Sequence, residues 1–166
     1  ISLTELQKNN LLKHLPVKQE QLVIIPNAVD TQKINPQKKS DLLRQQFSKN
    51  NNDTLIGLVG RLDKGKGQSI LLEAGHILKQ KGIQQFKIIL VGEETRHEPG
   101  ALALLKKYVE QNQMMEQVIF TGFRSDIAEI NASLDVIVMA SDAETFGRVV
   151  IEGMAAGVPV VATGAG

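Results

Sequence analysis

The hydrophobic positions of this chain form short unbroken runs separated by longer segments in which apolar and polar residues are interspersed. Short runs rich in branched residues are typical of strands buried on both faces of a parallel sheet. Five such runs lie at residues 55–59, 86–91, 118–120, 136–139 and 158–162, and residues 22–25 are a sixth candidate. The pattern therefore predicts a parallel sheet of about six strands.

The segments between the runs carry the apolar spacing of amphipathic helices. Ser40 is positioned to cap a short helix over 41–47, and a final helix opens at Gly147 and stops at 157–159. Three further helices are expected. One has Ile70, Leu71, Ala74, Ile77 and Leu78 on its inward face. A second starts at Pro99 and carries Leu102, Leu105 and Val109, and a third starts at Ser125 and Asp126 and carries Ile127 and Ile130. This alternation of strands and helices predicts an α/β fold, a Rossmann-like doubly wound sheet with ligand sites at the carboxyl ends of its strands.

Composition narrows the possible classes of protein. The 166 residues suit one domain, and the net charge of +1 gives no argument for a nucleic-acid partner. The chain has no cysteine, which excludes disulfides, thiolate metal sites and a cysteine nucleophile, and which is compatible with the cytoplasm. No apolar run approaches the length of about 20 residues that a membrane span needs.

Two glutamates flank the start of the last predicted helix. Glu144 and Glu152 lie eight positions apart, on either side of Gly147. The first amides of a helix lack partners and favour an anion, so this arrangement provides hydroxyl acceptors beside a phosphate site. Exposed surface carboxylates are the alternative, but the helix around Glu152 has almost no other charge, and burying an unpaired carboxylate is costly.

A basic glycine-rich loop follows the first of the five runs. Residues 60–67 contain Arg61 and Lys66 among three glycines, and glycine lets the backbone approach phosphate oxygens closely. A flexible basic turn is the alternative interpretation. The loop lacks the lysine–serine or lysine–threonine pair of a Walker motif, and no Gly-x-Gly-x-x-Gly follows a strand.

Several segments, in this order, resemble the retaining GT-B glycosyltransferases of family 4. They lie at residues 25–30, 59–67, 119–123, 134–141 and 144–152, so the resemblance runs from about Val23 to Thr163. It implies that residues 1–166 form a single nucleotide-sugar-binding domain, the C-terminal half of a GT-B fold. On this interpretation both ends are cuts in a longer protein, which adds an N-terminal acceptor domain and a C-terminal tail.

The resemblance also implies roles for individual residues. Arg61 and Lys66 would contact the diphosphate, and Glu144 would bind the donor sugar near its anomeric carbon; these three form the expected catalytic set. Glu152 would accept the ribose hydroxyls. The expected nucleotide-sugar-binding set is Gly60, Phe123, Arg124, Phe146, Gly147, Arg148, Val149 and Glu152.

Within that set Phe123 would line the base pocket, and the backbone at Arg124 would contact the base edge. A core phenylalanine beside an exposed arginine is an equally open interpretation. Arg148 departs from the family, which often has an apolar residue there, so its side chain either adds a charge near the site or faces solvent. Residues 92–97 also depart from the usual pattern, and Ser141 and Asp142 are expected only to shape a loop.

No metal or cofactor is expected. His14, His76 and His97 are isolated and lack metal-ligand spacing, and the chain contains no Asp-x-Asp. Positive side chains and the helix N-terminus would neutralise the leaving diphosphate instead.

The resulting functional prediction is transfer of a sugar from a UDP-, GDP- or ADP-sugar to an acceptor hydroxyl, with retention. The acceptor would be a glycan or lipid bound through the missing domain, in a cytoplasmic enzyme or one peripheral at the inner face of the membrane. This chain alone would bind the donor and sustain little or no transfer. The alternatives are a non-catalytic nucleotide-sugar-binding module and a GT-B-type nucleotide-sugar epimerase; a phosphorylase would need a pyridoxal lysine that nothing in the sequence indicates.

Overall fold

The computed structural model of the chain describes residues 1–49, 52–96 and 98–165. Within these residues the chain forms six α-helices and five strands. The helices are α1 (Glu5–His14), α2 (Asp41–Phe47), α3 (Gln68–Gln80), α4 (Ala101–Gln111), α5 (Ile127–Ser133) and α6 (Arg148–Ala155). The strands are β1 (Thr54–Val59), β2 (Phe86–Val91), β3 (Val118–Gly122), β4 (Val136–Met139) and β5 (Val160–Ala162). No helix of the described residues is long and apolar enough to cross a membrane.

The strands form a parallel sheet in the order β3-β2-β1-β4-β5. This order confirms the predicted Rossmann-like architecture. The expected sixth strand at residues 22–25 is wrong, because Ile24 makes only an isolated bridge to Ser2, away from the sheet. Pro26 follows this segment and has no N–H with which to extend the pairing.

Helices cover both faces of the sheet, and each face has its own apolar core. Leu71 and Leu72 of α3 pack with Val109 of α4 against one face. Phe47 of α2 and Ile130 of α5 belong to the core on the other face. The sheet is therefore doubly wound, as predicted.

Helix α3 buries a face that overlaps the predicted one only in part, through Leu71 and Leu78. Leu71 is buried, but Ile70 and Ile77 are 46% and 45% exposed. Gly75, which was not expected inside, is buried beneath Ile88 of β2, where a Cβ atom would overlap that side chain. Gly75 lets the helix approach the sheet closely, so the face that contains Gly75 is buried rather than the more hydrophobic face.

Two helix starts also differ from expectation. Pro99 lies before α4 rather than at its first position, because Gly100 adopts φ +92° and forms the N-cap. Helix α1 was not predicted at all, although Thr4 and Gln7 have the spacing of a capping box. The Thr4 hydroxyl accepts from the Gln7 backbone N–H at 3.1 Å.

The strand order fixes where a ligand can bind. From β1 the chain proceeds to β2 and β3 on one side, then crosses over to β4 and β5 on the other. The carboxyl ends of β1 and β4 therefore bound the topological switch point, which is where open α/β sheets bind ligands.

Candidate functional site

Two cavities open at the carboxyl ends of β1, β2 and β4. The first, of about 470 Å³, is lined by Lys66, Glu144 and the start of α6. The second, of about 520 Å³, lies beside Phe123 and Arg124. Residues 59–61 line both cavities, so an elongated ligand could extend from one into the other across this loop.

The loops after β1 and β4 are held against each other by backbone contacts. The Asp142 N–H donates to the Gly65 carbonyl at 3.0 Å. Gly67 adopts φ +76° and lies so close to the loop after β4 that a Cβ atom would overlap the Ala140 carbonyl oxygen. This approach needs glycine and brings the side chains of the two loops together.

Lys66 and Glu144 meet across this junction. The Lys66 Nζ lies 2.5 Å from Glu144 Oε1, and the two side chains are only 26% and 19% exposed. The Ser141 hydroxyl donates to the same carboxylate oxygen at 3.0 Å. The structure thus brings together two of the three expected catalytic residues, with a hydroxyl that was expected only to shape a loop.

The N-terminus of α6 opens into the same cavity. Gly147 forms its N-cap with φ +76°, and no described side chain caps the helix there. Phe146, Arg148 and Val149 line the cavity together with Gly147. The Val150 N–H donates to the Gly147 carbonyl at 3.0 Å, whereas the amides before it in a first helical turn have no intrahelical partner, so this end of the cavity suits an anion.

Arg148 and Glu152 form an ion pair along α6. The Arg148 Nη2 lies 2.8 Å from Glu152 Oε1; the arginine side chain is 64% exposed and the glutamate 13%. Arg148 lines the first cavity and is also mostly exposed, so its two predicted roles both stay predictions. Among the described residues that line the two cavities, Glu152 is absent. Its role at the ribose therefore stays a prediction.

Arg61 extends from the shared loop with its side chain 63% exposed, and its Nη2 lies 3.5 Å from Asp63 Oδ2. The loop is held from below by Gln68, which is buried and whose amide donates to the Arg61 carbonyl at 2.6 Å. Sequence reasoning missed both Asp63 and Gln68. Their positions three and two residues from Lys66 were the available signal.

Phe123 is 73% exposed at the mouth of the second cavity, so the core interpretation of this residue is wrong. Arg124 turns back onto Asp126, with Nε and Nη2 at 2.8 Å and 2.5 Å from the two carboxylate oxygens. Hydrogen bonding to the Arg124 guanidinium lowers the pKa of Asp126. The side chain of Arg124 is therefore held by Asp126 beside the second cavity.

Residues 92–96, which follow β2, line the second cavity. Glu94 accepts hydrogen bonds from the Gly100 and Leu102 amides at the start of α4. Glu98 accepts from the Lys64 amide at 2.8 Å. Glu94 and Glu98 thus stabilise neighbouring backbone.

Among the described side chains, no group of three or more His, Asp or Glu residues could hold a metal ion. His14 is exposed, and His76 pairs with Gln80 on the surface of α3. His97, like residues 50, 51 and 166, lies outside the described residues. Metal independence stays a prediction.

A parallel sheet with a paired cation and carboxylate and an open helix N-terminus at its switch point defines a Rossmann-like ligand-binding domain. Residues 39–166 match the family described as glycosyl transferases group 1, and the chain belongs to that family. Its fold matches those of solved GT-B glycosyltransferases.

Individual relatives support the same family. The crystal structure of HepE from Anabaena in complex with UDP and glucose superposes with a TM-score of 0.88 at 29% identity, covering 99% of this chain and 44% of HepE. Mannosylfructose-phosphate synthase from Agrobacterium fabrum is 28% identical over 98% of this chain. A GDP-mannose-dependent alpha-mannosyltransferase from Corynebacterium glutamicum is 33% identical over 83% of this chain.

The chain spans much less than the full length of these relatives. It covers 37% of the synthase and 30% of the mannosyltransferase.

Proposed function

We propose that this chain is the donor-binding domain of a retaining family 4 glycosyltransferase, and that residues 1–166 form one nucleotide-sugar-binding domain. The observation that carries this proposal is the half-buried pair of Lys66 and Glu144, which lines a cavity beside the N-terminus of α6. A sugar diphosphate needs positive charge for its phosphates and an acceptor for its sugar hydroxyls, and this cavity offers both.

Arg61, Lys66 and the first amides of α6 would stabilise the negative charge that develops on the leaving diphosphate. Glu144 would accept a hydroxyl of the donor sugar near the anomeric carbon. The departing phosphate would take the acceptor's proton during attack on the same face, so that the reaction needs neither a protein nucleophile nor a divalent metal.

The nucleoside would occupy the second cavity. Phe123 offers an exposed ring against which a base can stack, and the backbone at Arg124 offers polar groups to its edge. Glu152 would reach the ribose with the carboxylate oxygen that Arg148 leaves free. The donor would be a UDP-, GDP- or ADP-sugar, in keeping with the UDP complex of HepE and the GDP-mannose dependence of the mannosyltransferase.

The acceptor, a glycan or lipid, would be bound by parts of a longer protein that lies in the cytoplasm or at the inner face of the membrane. The chain by itself would then bind the donor without sustaining transfer.

The test is a thermal-shift panel of this chain against UDP, GDP, ADP and their sugars, with EDTA present. A ligand at about 100 times its Kd should stabilise the fold by about 2.7 kcal/mol, which corresponds to a rise in Tm of about 5–10 °C. The double variant Arg61→Ala/Lys66→Ala should lose this shift. The matched control is Lys64→Ala, which removes an exposed lysine that does not line the donor cavity.

A shift that survives in the double variant, or no shift with any nucleotide, would contradict the proposal. Turnover separates the alternatives. A non-catalytic module would bind the donor but would give no product when the full-length protein is assayed with glycan and lipid acceptors, whereas an epimerase would convert the donor sugar without any acceptor.

A further inference from the structure

Ser141 is a buried polar residue at the end of β4 for which the proposed reaction has no role. It is 2% exposed, and its hydroxyl donates to Glu144 Oε1 at 3.0 Å. A buried hydroxyl aimed at a half-buried carboxylate orients that carboxylate, because the charge-assisted bond is lost if the carboxylate turns away.

Ser141 is itself held in place by the neighbouring strand. The Thr163 hydroxyl donates to the Ser141 carbonyl at 2.7 Å, and the Thr163 N–H donates to the Met139 carbonyl at 3.0 Å. The serine is thus anchored between the ends of β4 and β5, which are adjacent strands of the sheet. A donor on such a support is more rigid than one on a free loop.

Both groups that hold Glu144 bind the same oxygen. Lys66 and Ser141 contact Oε1, and no described residue hydrogen-bonds Oε2. The carboxylate therefore has one oxygen engaged by the protein and one available to a ligand. The two groups that contact Oε1 differ in mobility. The lysine is a point charge on a long flexible side chain, whereas the serine side chain is short and its hydroxyl is buried.

We propose that Ser141 is a positioning residue that keeps Glu144 aimed at the donor sugar after Lys66 has turned to the diphosphate. This inference rests on the proposed function, in which Lys66 contacts the diphosphate, and it adds that Lys66 then gives up its contact with Glu144. At that stage Ser141 is, among the described residues, the hydrogen-bonding group that still fixes the rotation of the carboxylate, so that Oε2 can accept a sugar hydroxyl.

The test compares two ligands that differ only in the sugar. Calorimetry on this chain would give the affinity of UDP-glucose relative to UDP, or of GDP-mannose relative to GDP if the thermal-shift panel selects guanine. The variant Ser141→Ala should bind the nucleoside diphosphate within about twofold of the unchanged protein, and the nucleotide sugar about tenfold more weakly, which is the scale of one lost hydrogen bond to a charged group. A general loss of structure would weaken both ligands together.

Three further variants strengthen the comparison. Ser141→Thr keeps the hydroxyl and should restore the affinity ratio. Thr163→Val removes the anchor of Ser141 but not Ser141 itself, so it should lower the ratio partway even if Ser141→Ala folds poorly. Ser133→Ala is the matched control, since it removes another buried serine hydroxyl on α5, bonded to the Glu129 carbonyl, and should leave the ratio unchanged.

Equal weakening of both ligands by Ser141→Ala and Thr163→Val, or an unchanged ratio in both variants, would overturn this inference alone. Failure of the unchanged chain to bind any nucleotide of the panel would overturn the proposed function and this inference together.

Discussion

At the scale of single residues, each charged side chain expected at the donor is already paired in the free protein. Lys66 pairs with Glu144, and Arg148 pairs with Glu152. Pairing offsets part of the desolvation cost of placing these charges at a partly buried site. We therefore expect donor binding to exchange partners within the site, because a phosphate that draws Lys66 toward it competes with the contact to Glu144.

The pair of Arg124 and Asp126 gives a prediction for pH dependence. Because the arginine lowers the pKa of Asp126, the stability that the pair contributes is fully present above the ordinary value of 3.8 and is lost as the pH falls through the lowered pKa. Asp126→Asn should lower the free energy of unfolding at pH 7 by about 0.5 kcal/mol, the scale of a partly exposed ion pair. Urea unfolding at pH 7 and pH 3 measures this loss, which should shrink at the lower pH.

The control for that measurement is Asp142→Asn, which changes an exposed carboxylate that makes no ion pair among the described residues. An equal loss of stability at both pH values would show that the charge of Asp126 is not what matters.

At the scale of elements, the sequence was enough to predict five strands and five of the six described helices. Short continuous apolar runs are typical of buried parallel strands, and here few other interpretations fit them. The face of α3 was wrong because periodicity alone allows two overlapping apolar stripes, and only the contact of Gly75 with Ile88 selects between them. Helix α1 was missed because its sequence has no apolar stripe that would indicate a helix, and none of its residues is buried.

The candidate site was predictable to the level of which loops meet, but not to the level of which side chains pair. Glycine-rich and acidic segments after β1 and β4 indicated a common crevice. That Ser141 and Lys66 bind one oxygen of Glu144 depends on backbone contacts between loops far apart in sequence. Local patterns carry no information about such contacts.

The junction of the two loops predicts contrasting effects for two glycines. Gly67→Ala should lower the free energy of unfolding by about 2 kcal/mol or more and abolish the donor-induced Tm shift. An alanine at this position would be strained at φ +76°, and its Cβ atom would overlap the Ala140 carbonyl. The two loops would then move apart and separate Lys66 from Glu144. Gly65→Ala is the matched control, because the nearest atom to its Cβ is Asp63 Oδ1 at 3.7 Å. Chemical unfolding and thermal shift measure both effects; similar behaviour of the two variants would contradict this account.

At the scale of the whole molecule, stability is concentrated in the sheet and its two cores. Helix α1 contributes no buried residue, whereas α3 buries Leu71, Leu72 and two further residues. The bridge between Ser2 and Ile24 lies within residues 1–25 and so does not tie this region to the sheet. This region should therefore open locally at a lower free energy than the sheet.

Amide hydrogen exchange tests that expectation. The amides of α1 should exchange at least about tenfold faster than those of α3, the internal comparison, and those of β1 and β2 should be slowest. Equal protection of α1 and α3 would mean that α1 is held by contacts that its exposure does not reveal.

The pairing of β1 with β4 has a consequence for folding. The Leu55 amide donates to Asp135 across a sequence separation of 80 residues, and the two strands it helps to align carry the two halves of the site. No partly folded chain in which these strands remain apart can present Lys66 to Glu144, whatever local structure it has formed. A bound donor would stabilise only the states in which they are joined, and would thereby suppress every partial opening that separates them.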